Sequence, residues 1–140
     1  MSIEINGLEG IEVKLEDIAD TNNIEQALGE VCAIVERSAR QKAPKKTGDL
    51  RRSIKSKVED SNTEVKGIVY TPLEYAPYVE YGTGLFAENG GREDVPWRYK
   101  DDKGKWHSTS GQEPQPFMRP ALDENREEIL RILKGALLND

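Results

Sequence analysis

The stretch NIEQALGEVCAIVERSARQK, residues 23–42, decides how the chain folds. Ile24, Ala27, Leu28, Val31, Ile34, Val35 and Ala39 recur at steps of three and four, which gathers them on one face of a helix. Asn22, with Glu25 three residues on, reads as a capping-box-like start in which Asn replaces the usual Ser or Thr. Pro44 ends the helix, because the residue before a proline is pushed away from helical angles. About 20 residues at 1.5 Å each give a rod of roughly 30 Å, the length of a small domain.

A second amphipathic stripe lies near the end of the chain. Ala121, Leu122, Ile129, Leu133, Ala136 and Leu137 predict a helix over about 120–138, with Pro120 at its first position. Between the two rods, Lys55–Glu59 and Glu64–Thr71 read as strands joined by the polar turn Asp60-Ser61-Asn62. Val65, Gly67 and Val69 share one side of the second strand, and Ile68 and Tyr70 the other. Residues 3–18 fit two patterns: Ile11, Val13 and Leu15 alternate as in a strand, while Leu8, Ile11, Leu15 and Ile18 follow a helical stripe. We expect a short strand at 2–6 and a loose helix after it. The sum is an α+β fold, two long amphipathic helices on a small antiparallel sheet.

At 140 residues the chain fits a single domain, residues 1–140, able to form a core without metals or disulfides. The exception is a polar, Gly-rich insertion, about 85–113, expected to be a flexible loop or hairpin. In it, Pro96–Lys100 and Lys105–Ser108 flank Asp101-Asp102-Lys103-Gly104, which predicts a hairpin with Trp97 and Trp106 across from each other. No apolar run approaches the roughly 20 residues needed to span a bilayer. The first residues lack the basic and apolar stretches of a signal peptide, so synthesis and retention in a cytoplasm are expected.

Catalytic chemistry finds few materials. Cys32 sits on the helical pattern beside Val31 and reads as a packed, inert thiol. The sole histidine, His107, falls in the hydrophilic insertion without a nucleophile beside it. Gly82-Thr83-Gly84 lacks the third glycine or following Lys-Ser/Thr of a phosphate loop. We therefore expect no enzyme, no cofactor, no metal and no catalytic residue. Charge is more telling. From Arg37 to Lys57, nine Lys or Arg and the single acid Asp49 give +8, leaving −14 for the rest of a chain whose net charge is −6. Such a split suits head-to-tail packing of identical subunits or, as the alternative, a small nucleic-acid-binding module using the basic segment 37–57.

Three segments are too particular for a generic domain: Ala43-Pro44-Lys45-Lys46-Thr47-Gly48-Asp49-Leu50-Arg51-Arg52-Ser53-Ile54, then Tyr75-Ala76-Pro77-Tyr78-Val79-Glu80-Tyr81-Gly82-Thr83, then Gln115-Pro116-Phe117-Met118-Arg119-Pro120-Ala121-Leu122. In this order they resemble the tail-component family of siphophages, the gene-product-ten-like proteins of the head–tail module. That family's pattern is similar to Ala-Pro-x-x-Thr-Gly-x-Leu-Arg-x-Ser-Ile, Tyr-Ala-x-Tyr-Val-Glu-x-Gly-Thr and Pro-Phe-x-Arg-Pro-Ala, and with the flanking helices the resemblance covers about 3–138. The insertion between Thr83 and Gln115 departs from it, members often having a shorter connection there.

The resemblance implies a structural protein of a phage neck or tail end, made in the bacterial cytoplasm and resident in the virion. It would act in tail completion or head–tail joining as a ring of copies among other neck and tail proteins. DNA would pass nearby without specific binding, and no membrane is involved. On the residues themselves, Pro44, Thr47, Gly48, Leu50, Gly82, Thr83, Pro116 and Pro120 are structural-motif positions, with Thr47 capping a short helix anchored by Leu50 and Ile54. Tyr78 and Phe117 are expected in the core. Interface candidates are Arg51, Arg52, Tyr75, Glu80, Tyr81, Trp97, Trp106 and Arg119. Arg51, Glu80 and Arg119 lead these, as charges beside structural turns.

Overall fold

The computed structural model describes residues 3–6, 11–16, 22–45, 48–61, 64–73, 75–83, 86, 88, 95–100 and 103–138. They form two compact units. The first comprises Met1–Leu73 with Phe117–Asp140, the second Glu74–Pro116.

In the first unit, strands β1 (Ile3–Asn6), β2 (Ile11–Glu16), β3 (Lys55–Asp60) and β4 (Glu64–Tyr70) make an antiparallel sheet in the order β1-β2-β4-β3. The loose helix expected after the first strand is instead β2. Its alternating pattern wins because it forms a ladder with β4, setting Ile11, Val13 and Leu15 in register with Val69, Gly67 and Val65. β4 buries every second residue: Val65, Gly67 and Val69 lie inside, while Ile68 and Tyr70 are partly exposed.

Two 21-residue helices, α1 (Asn22–Lys42) and α4 (Met118–Leu138), pack on each other, and α1 also packs on β3 and β4. Ile24, Leu28, Val31, Val35 and Ala39 are buried on α1, and Ala121, Leu122, Ile129 and Leu133 on α4. Three members of the expected stripes, Ile34, Ala136 and Leu137, are only partly covered, and Cys32 and Ser38 are buried instead. α4 starts two residues earlier than expected. Pro120 becomes its third residue, still in the first turn, where the missing N–H has no intrahelical partner to lose. Phe117, just ahead of the helix, is buried as expected.

Gly67 sets how closely α1 approaches the sheet. A Cβ there would lie 2.7 Å from Cys32 Sγ and 3.4 Å from Leu28 Cδ2. Cys32 is buried against it, and that burial pushes the thiol pKa up to about 11, with the Glu36 charge adding to the shift.

The second unit holds α3 (Ala76–Tyr81) and a hairpin of β5 (Trp97–Lys100) and β6 (Trp106–Thr109), with a cis Val95–Pro96 bond before β5. The two tryptophans are not partners: Trp97 pairs with Thr109 and Trp106 with Lys100. The connection runs over 101–105, with Gly104 at φ 80, so the strands register around Lys103. That registration sets Trp97 and Trp106 on opposite faces at opposite ends of the ribbon.

Candidate functional site

Most positions of the three sequence segments hold the fold together. α2 (Asp49–Ser53) starts from Gly48, which stands at the N-cap with φ 76 and makes no side-chain cap bond; Thr47, the expected cap, lies outside the described residues. Leu50 and Ile54 are buried anchors. The Ser53 hydroxyl donates to the Leu50 carbonyl at 2.6 Å and lies 2.7 Å from Thr71 Oγ1, latching α2 to the end of β4. Arg40 of α1 reaches across and donates twice to the Ile54 carbonyl, from Nε at 3.2 Å and Nη2 at 2.7 Å. Pro44, partly exposed, follows the last turn of α1, where the Ala43 N–H still bonds to the Ala39 carbonyl at 2.9 Å.

In the second unit, Gly82 closes α3 at φ 84, with its N–H on the Tyr78 carbonyl. A Cβ at Gly82 would meet the Phe86 carbonyl at 2.8 Å and the Gln112 carbonyl and Pro114 Cδ at 3.0 Å each. The N–H of Thr83 donates to the Gln112 carbonyl, and the N–H of Gln112 returns to Thr83 Oγ1, both at 2.9 Å. The N–H of Gln115 bonds to the Val79 carbonyl at 2.8 Å. Glycine and threonine at these positions thus knot the two ends of the insertion together. Sequence reading identified Gly82 as a cap and missed the knot, since nothing in the spacing of Thr83 and Gln112 marks it.

The expected interface residues divide. Tyr78 is 60% exposed, which corrects the core reading: α3 buries Ala76 and Glu80, one turn apart on the same face, and Tyr78 falls on the other side. Tyr75 is 43% exposed and Trp106 is 55% exposed, the latter with Arg98 5.1 Å and Lys100 5.8 Å from its ring centroid. Tyr81, Trp97 and Arg119 are partly covered and engaged within the chain, and Pro116 is half-buried. Glu80 is only 4% exposed and has partners in the chain, so the expectation that it faces a neighbour is corrected: it serves the interior. Arg52 is exposed but already bonded to Asp49 at 2.5 Å.

Arg51 has no such structural task. Its Nε and Nη2 are buried without a hydrogen-bond acceptor. A donor so placed costs about 1–3 kcal/mol, more when charged, so its retention needs a reason. Arg51 lines a recess of about 290 Å³ with Ala33, Glu36, Arg37, Arg40 and Gln41 of α1. Three guanidinium groups face one carboxylate, Glu36, which stands 3.9 Å from Arg40 Nη2. A shallower groove of about 540 Å³ adjoins it, sharing Ala33 and Arg37 and bounded on α4 by Glu128, Arg131, Ile132 and Gly135.

Part of the basic segment is spent on the protein itself. Lys42 pairs with Glu124 at 2.6 Å, and Lys57 with Glu59 at 2.9 Å, its ammonium also lying 5.4 Å from the Tyr70 ring centroid. Arg40 is held by Ile54. A nucleic-acid track needs a row of cations turned outward; these three side chains have partners of their own, while Lys45 and Lys55 are exposed. Among the described residues no group of three or more His, Cys, Asp or Glu is placed to hold a metal ion, and no helix is long and apolar enough to cross a membrane.

Residues 11–82, half of the chain, match the family model "HK97-gp10_like: Bacteriophage HK97-gp10, putative tail-component". No curated protein and no solved structure gave a match.

Proposed function

This chain belongs to the HK97-gp10-like family of bacteriophage tail components, and from that premise we propose that it is a non-catalytic part of the phage neck or tail end, one copy in a ring that completes the tail and joins it to the head. The observation that carries this reading is the match over residues 11–82, which spans β2, α1, α2, β3, β4 and α3. The charge split supports it: a segment of +8 in a chain of −6 suits a heterologous contact in which one face of each copy meets a different face of the next. Its partners are then further copies of itself and other neck and tail proteins.

The test is complementation. A phage lacking this gene should accumulate filled heads and separate tails, and adding the purified protein to that lysate should restore infectious particles. Joined, infectious particles formed without the gene would overturn the proposal.

A further inference from the structure

We infer that the recess between α1 and α2 is a carboxylate-binding pocket that receives Glu127 from a second copy of this chain. The inference rests on the ring reading above and adds the contact that would hold neighbours together.

The pocket is built for one small anion. Arg37, Arg40 and Arg51 stand against the single carboxylate of Glu36, and Gln41 adds a neutral amide. Arg40 is positioned by its bonds to the Ile54 carbonyl. Arg51 has two N–H groups without acceptors, so a turn of its guanidinium toward an incoming carboxylate gives both a partner. The planar fork of arginine matches a carboxylate with two parallel bonds, which makes the contact directional as well as attractive. A duplex backbone presents a line of phosphates along a convex surface, whereas the three arginines here gather in one recess around a carboxylate, and Arg52, Lys42 and Lys57 are each paired with an acid of the chain.

The complementary surface is on α4. Asp123, Glu124 and Glu127 are exposed there. Asp123 is bonded to Arg126 at 3.4 Å and Glu124 to Lys42 at 2.6 Å, while Glu127 makes no ion pair among the described residues. An acid with no ion pair among the described residues on one helix, and donors without acceptors beside another, give each chain two different, mutually attractive faces. Repetition of such a contact produces a closed ring or an open filament, as the rotation between neighbours dictates.

Sedimentation velocity of the full-length protein at low salt, over a series of concentrations, tests this with Arg51→Gln, Arg51→Lys, Glu127→Gln and the exchange pair Arg51→Glu with Glu127→Arg. The wild type should self-associate. Arg51→Gln and Glu127→Gln should each weaken association at least tenfold, Arg51→Lys less, and a mixture of the two exchange variants should recover association that neither shows alone. The Arg51 Nε–Hε resonance should shift as association proceeds. Circular dichroism confirms folding, and Arg37→Gln replaces Arg51→Gln if that variant does not fold. Wild-type association unchanged by these substitutions would overturn the pocket and leave the ring reading standing, as would an absence of self-association in a protein that still joins heads to tails. Duplex DNA moving the Arg51 resonance, with DNA binding lost in Arg51→Gln and self-association intact, would make it a phosphate site and overturn the carboxylate assignment. Failure of the deletion phage to need the gene would instead strike the ring reading.

Discussion

Gly67→Ala should destabilise the protein through one contact, and Cys32→Ala should remove the penalty. The new Cβ would sit 2.7 Å from Cys32 Sγ, closer than real Cβ atoms come, while its distances to Leu28 Cδ2 and Cβ, 3.4 and 3.6 Å, are close to ordinary contacts. Cys32 is 3% exposed on the middle of α1, so its sulfur has no solvent to swing into and the helix must lift from the sheet. Overpacking of this kind costs about 1–3 kcal/mol, which at this chain length lowers Tm by about 4–12 °C. In a Cys32→Ala background the clashing atom is gone, and alanine in a central strand is no worse than glycine. There Gly67→Ala should cost less than about 0.5 kcal/mol, a coupling of the size seen between residues in contact. Urea or thermal melts of the four proteins in the cycle measure it. Equal costs of Gly67→Ala in both backgrounds would refute the claim that this one contact sets the helix–sheet distance.

Gly29→Ala and Gly135→Ala should each stabilise by about 0.5–1 kcal/mol, because both are helical and a Cβ at either meets nothing within 4 Å; a melt unchanged or lowered would contradict this. Cys32, its thiol raised to about 11 by burial, should react very slowly with a disulfide reagent at pH 8 and at once after unfolding in urea; rapid native labelling would refute its burial. The Glu64 carboxyl is held below its usual range, first by its hydrogen bond from Lys14 and then by Lys66. A depressed carboxyl stabilises above its unfolded pKa and loses that contribution as pH falls through the folded value. Glu64→Gln should therefore melt lower than wild type at neutral pH and converge with it in acid; a constant offset at all pH values would refute the link.

The long elements were legible because burial repeats along them. α1 and α4 each expose a regular apolar stripe to any reading at period 3.6, and β4 alternates cleanly around Gly67. β2 was misread because Ile11 and Leu15 satisfy both periods, and only its register with β4, whose partner residues lie 48 to 58 positions away in the sequence, decides between them. Tyr78 was misplaced because aromatic character does not say which face of a short helix turns inward, and α3 turns in Ala76 and Glu80. Arg51 was singled out as a charge beside a turn, but its orphaned donors and the recess shared with Arg37 and Arg40 depend on α2 folding back over α1. The sequence marks where that return starts, at Pro44 and Gly48, and gives no sign of where it lands.

Among the described residues, the order β1-β2-β4-β3 leaves β3 with a strand on one flank only. Such a margin is an open invitation to a stranger's backbone, and proteins that are concentrated during assembly are most exposed to it. Here the margin reads Lys55, Ser56, Lys57, Val58, Glu59, Asp60, four of six side chains being charged and all four facing solvent, with Lys57 clasped to Glu59. Any strand laid alongside would have to strip water from both signs of charge at once. Growth by sheet extension is thereby discouraged along this margin.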